Sequence, residues 1–521
     1  IVLITEITLR IVEYGNEYPL VKQTTFFKQD IKTVNQEFTK RYFPPDYRNL
    51  PTPDLTPFEI NKSKNTYRII CLGGSTTAGF PYVQNATFPF QLKVRLKKIM
   101  TDKNIEVINF GVSAVNSYTV LDILPEVLEQ QPDLILIYMG HNEFYGAYGV
   151  GSTQYAGMNR NLILLYLKLG RFRFFQFLKN TLQSIRGSNE QVSEGKSTTL
   201  MEDIVREPSP KHNPQFVEIA SNNFEGNLEE ILHTINKATV PVMVCTLASN
   251  LRDHEPFISA YSDTTDLEAQ KRWEEMFLSA RNYQANNQHD QALTVFNQLE
   301  SIDPSPARLF FFRGHSYLML GNLEQAYTDF AKARDLDQLK FRAPGVFNEI
   351  IKDVALRNGV PTVDIKTIFR TASPDTIPGN NLFVEHLHPN FSGQKLIAEA
   401  LLKAVLIHLE VDEINRGKLP QPLLSDQDIA YITSRFEDES GNITLLDLDV
   451  GNFSNFILTS RWPFPERKAT FNNFRPLGNR ATKDIAIQYC TKRLSWELAH
   501  YRMAEYYQKR GENAKARAEY M

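Results

Sequence analysis

Residues 67–77 read YRIICLGGSTT, a short apolar run that ends in two glycines and three hydroxyl side chains. Such a run, closed by glycine, is typical of a buried strand. Four later apolar runs also predict strands: 106–110 and 133–139, which are followed by glycine, and 241–247 and 361–365, which are not. Helical patterns separate them, at 88–100, 118–130, 222–237 and 345–358. Strands that alternate with helices predict an α/β fold, in which a parallel sheet has helices on both faces.

The composition is that of a globular protein with more than one domain. The chain has 521 residues, whereas a single core stops growing at roughly 250–300 residues. Its formal net charge is −3, so no overall basic field attracts nucleic acid, and we expect no nucleic-acid partner. Cys71, Cys245 and Cys490 form no disulfide framework, and the first two lie in apolar runs where cysteine is usually a small buried side chain.

Pattern and composition predict five segments. They are an N-terminal arm (1–65), the first part of the α/β domain (66–260), a helical insertion (261–342), the second part of the α/β domain (343–410) and a C-terminal helical extension (411–521). Residues 13–66 contain proline clusters and are expected to be irregular.

Two segments suggest contact with a membrane. Residues 1–12, IVLITEITLRIV, are apolar but shorter than the about 20 residues of a membrane span. One interpretation is the end of an anchor that holds the protein on the extracytoplasmic side of a membrane, in the periplasm or at the cell surface. The alternative is an amphipathic first helix. Residues 159–183 are apolar and aromatic with scattered arginine, and a polar loop follows at 184–199. They indicate a surface helix with a linker, or a lid or membrane-facing element.

The helical insertion contains a repeat of 34 residues. Three residues recur at that spacing, namely Ala292, Phe296 and Asp303 as Ala326, Phe330 and Asp337. The pattern resembles the tetratricopeptide repeat, and a half-unit with Ala504, Tyr507 and Gly511 follows near the C-terminus. Helix pairs of this kind need neighbours, so we expect the repeats to stack on another element, for example that half-unit. A protein-binding surface and a purely architectural use both remain open.

Three predicted strands are followed by residues suited to acyl transfer. Ser75, Gly111 and Asn142 each lie just beyond a strand, and in a parallel sheet these loops converge at one edge. No lysine follows the glycines as a phosphate loop requires, and Thr77 replaces the second glycine of the α/β-hydrolase elbow. A glycine amide and an asparagine side chain can stabilise a developing oxyanion.

A serine hydroxyl needs a base, and residues 383–390, FVEHLHPN, provide one. Glu385 precedes His388 by three residues, so its carboxylate can orient the imidazole while the other ring nitrogen faces Ser75. His141 and His386 could instead join these two residues in a metal cluster, but no further ligand has recognisable spacing, so we expect neither metal nor cofactor.

A loop after the fourth strand is a candidate for substrate binding. Asn250 and Arg252 lie beyond residues 241–247, at the same edge of the sheet as the residues described above. Arg252 can hold a carboxylate or a sugar hydroxyl. A hydrogen-bonded loop that only closes the sheet remains an equal alternative.

These blocks are similar to those of the SGNH/GDSL hydrolase superfamily. Gly-Gly-Ser-Thr, the glycine after the second strand, Gly-His-Asn-Glu and Glu-x-x-His-Pro follow one another as in that family. The resemblance covers about 66–260 and 343–410 and implies a flavodoxin-like, three-layer α/β/α domain. It implies Ser75 as nucleophile, His388 as base and then acid, and an oxyanion hole from the Ser75 amide, Gly111 and Asn142.

The chain departs from the family pattern at three positions. Gly74, Glu385 and Glu143 stand where the family commonly has aspartate. None of these changes removes the nucleophile, the base or a donor, and the longer Glu385 side chain can still reach an imidazole nitrogen.

Three functions are compatible with this pattern. The first is an esterase that removes acyl groups such as acetate from a carbohydrate or another ester. The second is an acyltransferase that uses the same site. The third is a scaffold in which the hydrolase domain supports the repeats as a protein-binding surface.

Overall fold

The computed structural model describes residues 2–26, 29–43, 50–155, 157–186, 214–415, 443–460, 474–491 and 493–520. The linker was predicted at 184–199; residues 184–186 belong to a helix, and 187–199 lie outside the described residues. The strands are β1 (Val21–Phe26), β2 (Gln29–Val34), β3 (Thr66–Gly73), β4 (Asn104–Asn109), β5 (Leu134–Tyr138), β6 (Val242–Cys245) and β7 (Thr362–Val363).

Eighteen α-helices occur in the described part of the chain. They are α1 (Val2–Ile11), α2 (Ser75–Ala78), α3 (Phe88–Ile99), α4 (Ser117–Leu128), α5 (Arg160–Gly170), α6 (Arg173–Arg186), α7 (Pro214–Lys237), α8 (Leu267–Ala285), α9 (His289–Ile302), α10 (Ala307–Met319), α11 (Leu323–Leu336), α12 (Val346–Arg357), α13 (Ile365–Thr371), α14 (Phe391–Asn415), α15 (Leu445–Ser460), α16 (Arg480–Cys490), α17 (Trp496–Lys509) and α18 (Asn513–Tyr520).

A parallel sheet with the order β4-β3-β5-β6-β7 forms the centre. Helices α3 and α14 pack together, as do α4 with α7 and α7 with α12. Every residue of β5 and β6 is buried, which explains why these strands read as continuous apolar runs rather than alternating ones. The predicted α/β fold with its five strands is confirmed.

The N-terminal arm is more regular than predicted. Strands β1 and β2 form an antiparallel hairpin, and Lys32 pairs with Phe58 beside it. Leu20 and Val34 are fully buried in the main core, so the arm is anchored by apolar side chains. The prediction of an irregular segment at 13–66 is therefore wrong for the hairpin. Within the described residues, no helix combines the length and the apolar character required to cross a membrane.

The helical insertion has its own core. Helices α8 to α11 pack around Trp273, Phe296 and Phe330, together with Leu251 and Ile377 of the α/β domain. The C-terminal helices α15 to α18 bury a separate set of side chains. The repeats thus pack on the α/β domain, and no stacking on the C-terminal half-unit is found among the described residues.

Candidate active site

Ser75 stands at the carboxyl end of β3, which lies between β4 and β5 in the sheet. It begins α2 directly after Gly73 and Gly74. A Cβ atom on Gly73 would lie 2.1 Å from the carbonyl oxygen of Tyr138, so only glycine allows β3 and β5 to approach here. As the first residue of a helix, Ser75 has a backbone amide with no intrahelical acceptor.

The loop before α14 brings His388 to Ser75. His388 Nε2 lies 2.7 Å from Ser75 Oγ, although 313 residues separate the two along the chain. On the other side of the ring, His388 Nδ1 lies 2.7 Å from Glu385 Oε1. Hydroxyl, imidazole and carboxylate therefore form one hydrogen-bonded chain, and the longer glutamate reaches the imidazole.

Backbone and ring contacts fix the Glu385 carboxylate. The amides of Leu387 and His388 donate to Oε1 at 3.1 and 2.5 Å, and His386 Nδ1 contacts Oε2. Burial alone would raise the pKa of Glu385, but the two imidazoles outweigh it and hold the pKa well below its usual range. Glu385 is therefore an anion fixed against His388.

Asn250 has a different role from the one predicted. It is fully buried, and its Nδ2 donates to the carbonyl oxygen of Glu385 at 3.0 Å and to Asn380 Oδ1 at 2.8 Å. Its backbone amide donates to the carbonyl oxygen of His386 at 2.9 Å. The prediction that Asn250 binds substrate is wrong, because its polar groups hold the loop that carries His388.

Arg252 is held by its neighbour. Its Nε and Nη2 atoms each lie 3.0 Å from a carboxylate oxygen of Asp253. The Asp253 carboxylate also accepts the backbone amide of Asn380 at 2.7 Å. Arg252 thus closes this turn, and no contact with Ser75 or His388 is found among the described residues.

The structure separates the two predicted oxyanion donors. Asn142 lies against the turn that carries Ser75, since a Cβ atom on Gly74 would lie 2.7 Å from Asn142 Nδ2. The same nitrogen donates to the carbonyl oxygen of Val115 at 2.9 Å. The Gly111 amide instead donates to Asn109 Oδ1 at 2.9 Å. A Cβ on Gly111 would lie 2.3 Å from the Ala78 nitrogen, so this glycine serves close packing, and its predicted role as a donor is wrong in this structure.

Two residues absent from the predicted site support its base. The Phe80 ring meets the His388 ring edge-on, with centroids 4.7 Å apart. Arg342, which is buried, donates to the carbonyl oxygens of Asn250 and His254 at 2.9 Å. An isolated phenylalanine or arginine carries no sequence signal that links it to a distant histidine, so neither was predictable.

His141, which belongs to the metal alternative, and Glu143, one of the departures from the family pattern, have other contacts. His141 Nδ1 accepts the Ala343 amide at 3.2 Å, and burial lowers the pKa of this imidazole to about 3. Glu143 accepts the amide and hydroxyl of Ser117, and burial raises its pKa to about 7. Among the described residues, no group of three His, Cys, Asp or Glu side chains is arranged to hold a metal ion.

A cavity of about 700 Å³ adjoins this site. Phe80 and Ser113 line it on the side of the α/β domain, and Tyr489 and Arg493 line it from the C-terminal extension. The extension is attached next to the cavity, where the Asn455 side chain donates to the carbonyl oxygen of Val384 at 3.4 Å. The C-terminal extension, for which the sequence suggested no function, thus forms one wall of the cavity beside His388.

The stability of this wall is expected to depend on pH through His500. Burial lowers the pKa of His500, but the carboxylates of Asp447 and Glu519, at 3.5 and 2.7 Å, outweigh it and raise the pKa to about 9. The stabilisation is complete below the ordinary value of 6.5 and is lost as the pH rises through about 9. We expect about 3 kcal/mol of unfolding free energy to disappear over this interval.

Fluorescence-detected unfolding at pH 6.5 and 10 measures this effect, because the Trp496 ring lies 4.4 Å from the His500 ring. His500→Gln should be less stable than wild type at pH 6.5 and similar to it at pH 10. An equal pH dependence of both proteins would contradict the assignment.

Fold and site together define a serine ester hydrolase. The chain belongs to the GDSL-like lipase/acylhydrolase family, whose model matches residues 69–401. This confirms the similarity inferred from the four sequence blocks.

Solved structures similar to the chain include esterases. The acetyl xylan esterase AlAXEase is 12% identical, with 65% of this chain and 99% of that chain covered and a TM-score of 0.30. Axe2, an acetylxylan esterase from Geobacillus stearothermophilus, is 13% identical, with 66% and 95% covered and a TM-score of 0.31. Comparison with curated protein sequences finds no match.

Proposed function

We propose that the protein hydrolyses acyl esters of a carbohydrate, with Ser75 as nucleophile and His388 as general base. The observation that carries the proposal is the chain of two 2.7 Å contacts from Ser75 Oγ through His388 to Glu385. Ser75 Oγ attacks the ester carbonyl while His388 Nε2 takes its proton. The Ser75 amide and Asn142 Nδ2 stabilise the oxyanion of the tetrahedral intermediate.

The second half of the reaction uses the same groups in reverse order. Collapse of the intermediate breaks the bond to the alcohol and forms an acyl-Ser75 ester. The alcohol leaves with the proton from His388 Nε2. A water molecule, deprotonated by His388, then attacks this ester; the bond to Ser75 Oγ breaks, the carboxylic acid leaves, and His388 returns the proton to Ser75 Oγ. Glu385 stays ionised and positions the imidazole throughout.

The cavity next to Phe80 supports a carbohydrate as the alcohol part of the substrate. Its volume of about 700 Å³ falls within the roughly 300–1,000 Å³ of small-molecule sites. Aromatic rings of Tyr82 and Tyr489 and the charged groups of Asp54 and Arg493 line it. Aromatic surfaces with a few hydrogen-bonding groups suit a polar ring that has apolar faces.

Active-site labelling and product analysis test this function. A fluorophosphonate probe should label wild type at Ser75, and acetylated oligosaccharides should release acetate. Absence of both labelling and release would overturn the proposal in favour of a scaffold. Acetyl transfer to an added sugar, with negligible release of acetate, would replace hydrolysis by the acyltransferase alternative.

Arg493→Ala tests the substrate part of the proposal. Arg493 is exposed at the cavity, and no ion pair of its side chain is found in the described part of the chain. We expect KM for an acetylated oligosaccharide to rise about tenfold, because the variant loses one hydrogen bond to a charged group. The kcat for p-nitrophenyl acetate should stay within about twofold of wild type. Arg480→Ala is the matched control, since that side chain is 95% exposed on the same helical extension. Equal KM values for the two variants would exclude the cavity as the sugar site.

A further inference from the structure

Three neighbouring helices expose an unusual amount of apolar surface. Helix α6 packs against both α1 and α5. We define the apolar helix face as the exposed large apolar side chains on and between these helices: Val2, Leu3, Ile4, Ile7, Ile11, Val12, Leu162, Leu165, Phe172, Phe177, Leu178 and Leu182. They are 12 of the 26 exposed large apolar side chains in the described residues, and such concentrations mark interaction surfaces.

Helix α1 leaves most of its apolar side chains exposed and buries a carboxylate instead. Its only buried side chain is Glu6, whose Oε2 accepts the backbone amide of Phe174 at 2.8 Å. Ile4 and Ile7 on the same helix are 69% and 50% exposed. An amphipathic helix on a protein in water turns its apolar stripe towards the core, so the exposure of these apolar side chains indicates an apolar environment outside.

Specific contacts fix this orientation. The Asn16 amide donates to Gln176 Oε1 at 3.1 Å, and Asn180 Nδ2 donates to the Tyr14 hydroxyl at 2.9 Å. The Tyr14 and Phe177 rings meet edge-on at 5.7 Å. Polar contacts therefore hold α1 on α6, while the apolar side chains stay outside.

The charged residues of α5 and α6 have one sign. Residues 160–186 contain six lysines and arginines and no aspartate or glutamate, in a chain whose net charge is −3. Arg171 and Arg173 pair with Asp122 and Glu17. Lys168 is exposed, and no ion pair of its side chain is found among the described residues. A cationic surface with exposed apolar side chains matches anionic lipid headgroups above acyl chains.

We propose that the apolar helix face lies in the interfacial region of a membrane that contains anionic lipids. Helices α1, α5 and α6 lie along the surface, with their leucine, isoleucine and phenylalanine side chains among the upper acyl chains. The protein thereby acts at a membrane surface. The proposal is independent of the chemistry at Ser75, because it rests on other residues.

Vesicle sedimentation with the full chain tests the proposal. Vesicles of phosphatidylcholine and phosphatidylglycerol at 3:1 should bind the protein at least about tenfold more strongly than pure phosphatidylcholine, and salt should weaken this binding. The double variants Ile4→Ser with Ile7→Ser and Phe177→Ser with Leu178→Ser should each bind at least about tenfold more weakly than wild type. Leu267→Ser with Leu356→Ser is the matched control, since these leucines are 76% and 80% exposed elsewhere, and it should bind like wild type.

Equal binding of the face variants, the control and wild type would overturn the proposal, as would the absence of binding to both kinds of vesicle. A dimer in solution that the face variants convert to monomer, without any vesicle binding, would assign the surface to a second copy of the chain. Ser75→Ala should bind vesicles like wild type. The face variants should keep wild-type activity on a soluble ester, so failure of the catalytic proposal is distinguishable from failure of this one.

Discussion

Ser75→Ala is expected to lower kcat/KM for p-nitrophenyl acetate by at least about 10³-fold and to abolish fluorophosphonate labelling. The variant keeps the oxyanion donors but has no hydroxyl 2.7 Å from His388 Nε2, so no acyl-enzyme can form. Kinetics on the purified protein, with intact mass after labelling, measure both effects. The fold should be unaffected, because the substitution removes a single oxygen atom.

Ser221→Ala is the matched control for this experiment. Ser221 and Ser75 are both 8% exposed, but Ser221 lies on α7, and the structure shows no hydrogen bond of its hydroxyl among the described residues. It should retain activity and labelling within about twofold of wild type, as expected for a substitution away from the active site. Activity of Ser75→Ala close to that of Ser221→Ala would refute the assignment of the nucleophile.

Glu385→Gln is expected to lower kcat by about 10²–10⁴-fold with a smaller change in KM. The carboxylate accepts His388 Nδ1 at 2.7 Å and two backbone amides on the same oxygen. A neutral amide no longer stabilises the imidazolium that forms during the attack, and its NH₂ group can select the wrong tautomer of the ring. Steady-state kinetics with thermal unfolding separate a loss of catalysis from a loss of folding.

Glu143→Gln provides the comparison for this second experiment. Glu143 is also a buried carboxylate, 4% exposed and next to Asn142 in sequence, but it binds Ser117 rather than an imidazole. Burial already raises its pKa to about 7, so the neutral amide resembles a form that the native residue readily adopts. We expect less than about a tenfold loss of kcat. If both variants lost the same activity, Glu385 would have no special role in orienting the base.

Much of the site was predictable because a parallel sheet orders its loops. Apolar runs, three of them closed by glycine, predicted the strands, and the carboxyl ends of parallel strands meet at one edge. Ser75 and Asn142 follow two of these strands, so their proximity needed no knowledge of side-chain packing. Glu385 and His388 are three residues apart, and their contact is set by local geometry.

Other parts of the site depend on the path of the chain in three dimensions. The position of Gly111 was evident from the sequence, but the direction of its amide, towards Asn109, was not. Asn250 contacts the carbonyl oxygen of Glu385, 135 residues away, and no spacing rule indicates such a pair. The same applies to the cavity wall formed by Tyr489 and Arg493.

The sequence by itself determined the α/β class, the strands and the residues able to carry out acyl transfer, because periodicity and strand ends are local properties of the chain. Only the tertiary structure decided which polar groups are free to meet a substrate and which are consumed in holding His388. It also decided that apolar side chains of α1 and α6 lie together on the surface. Hydrogen-bond partners and solvent exposure are set by segments that are distant in sequence, so local patterns do not determine them.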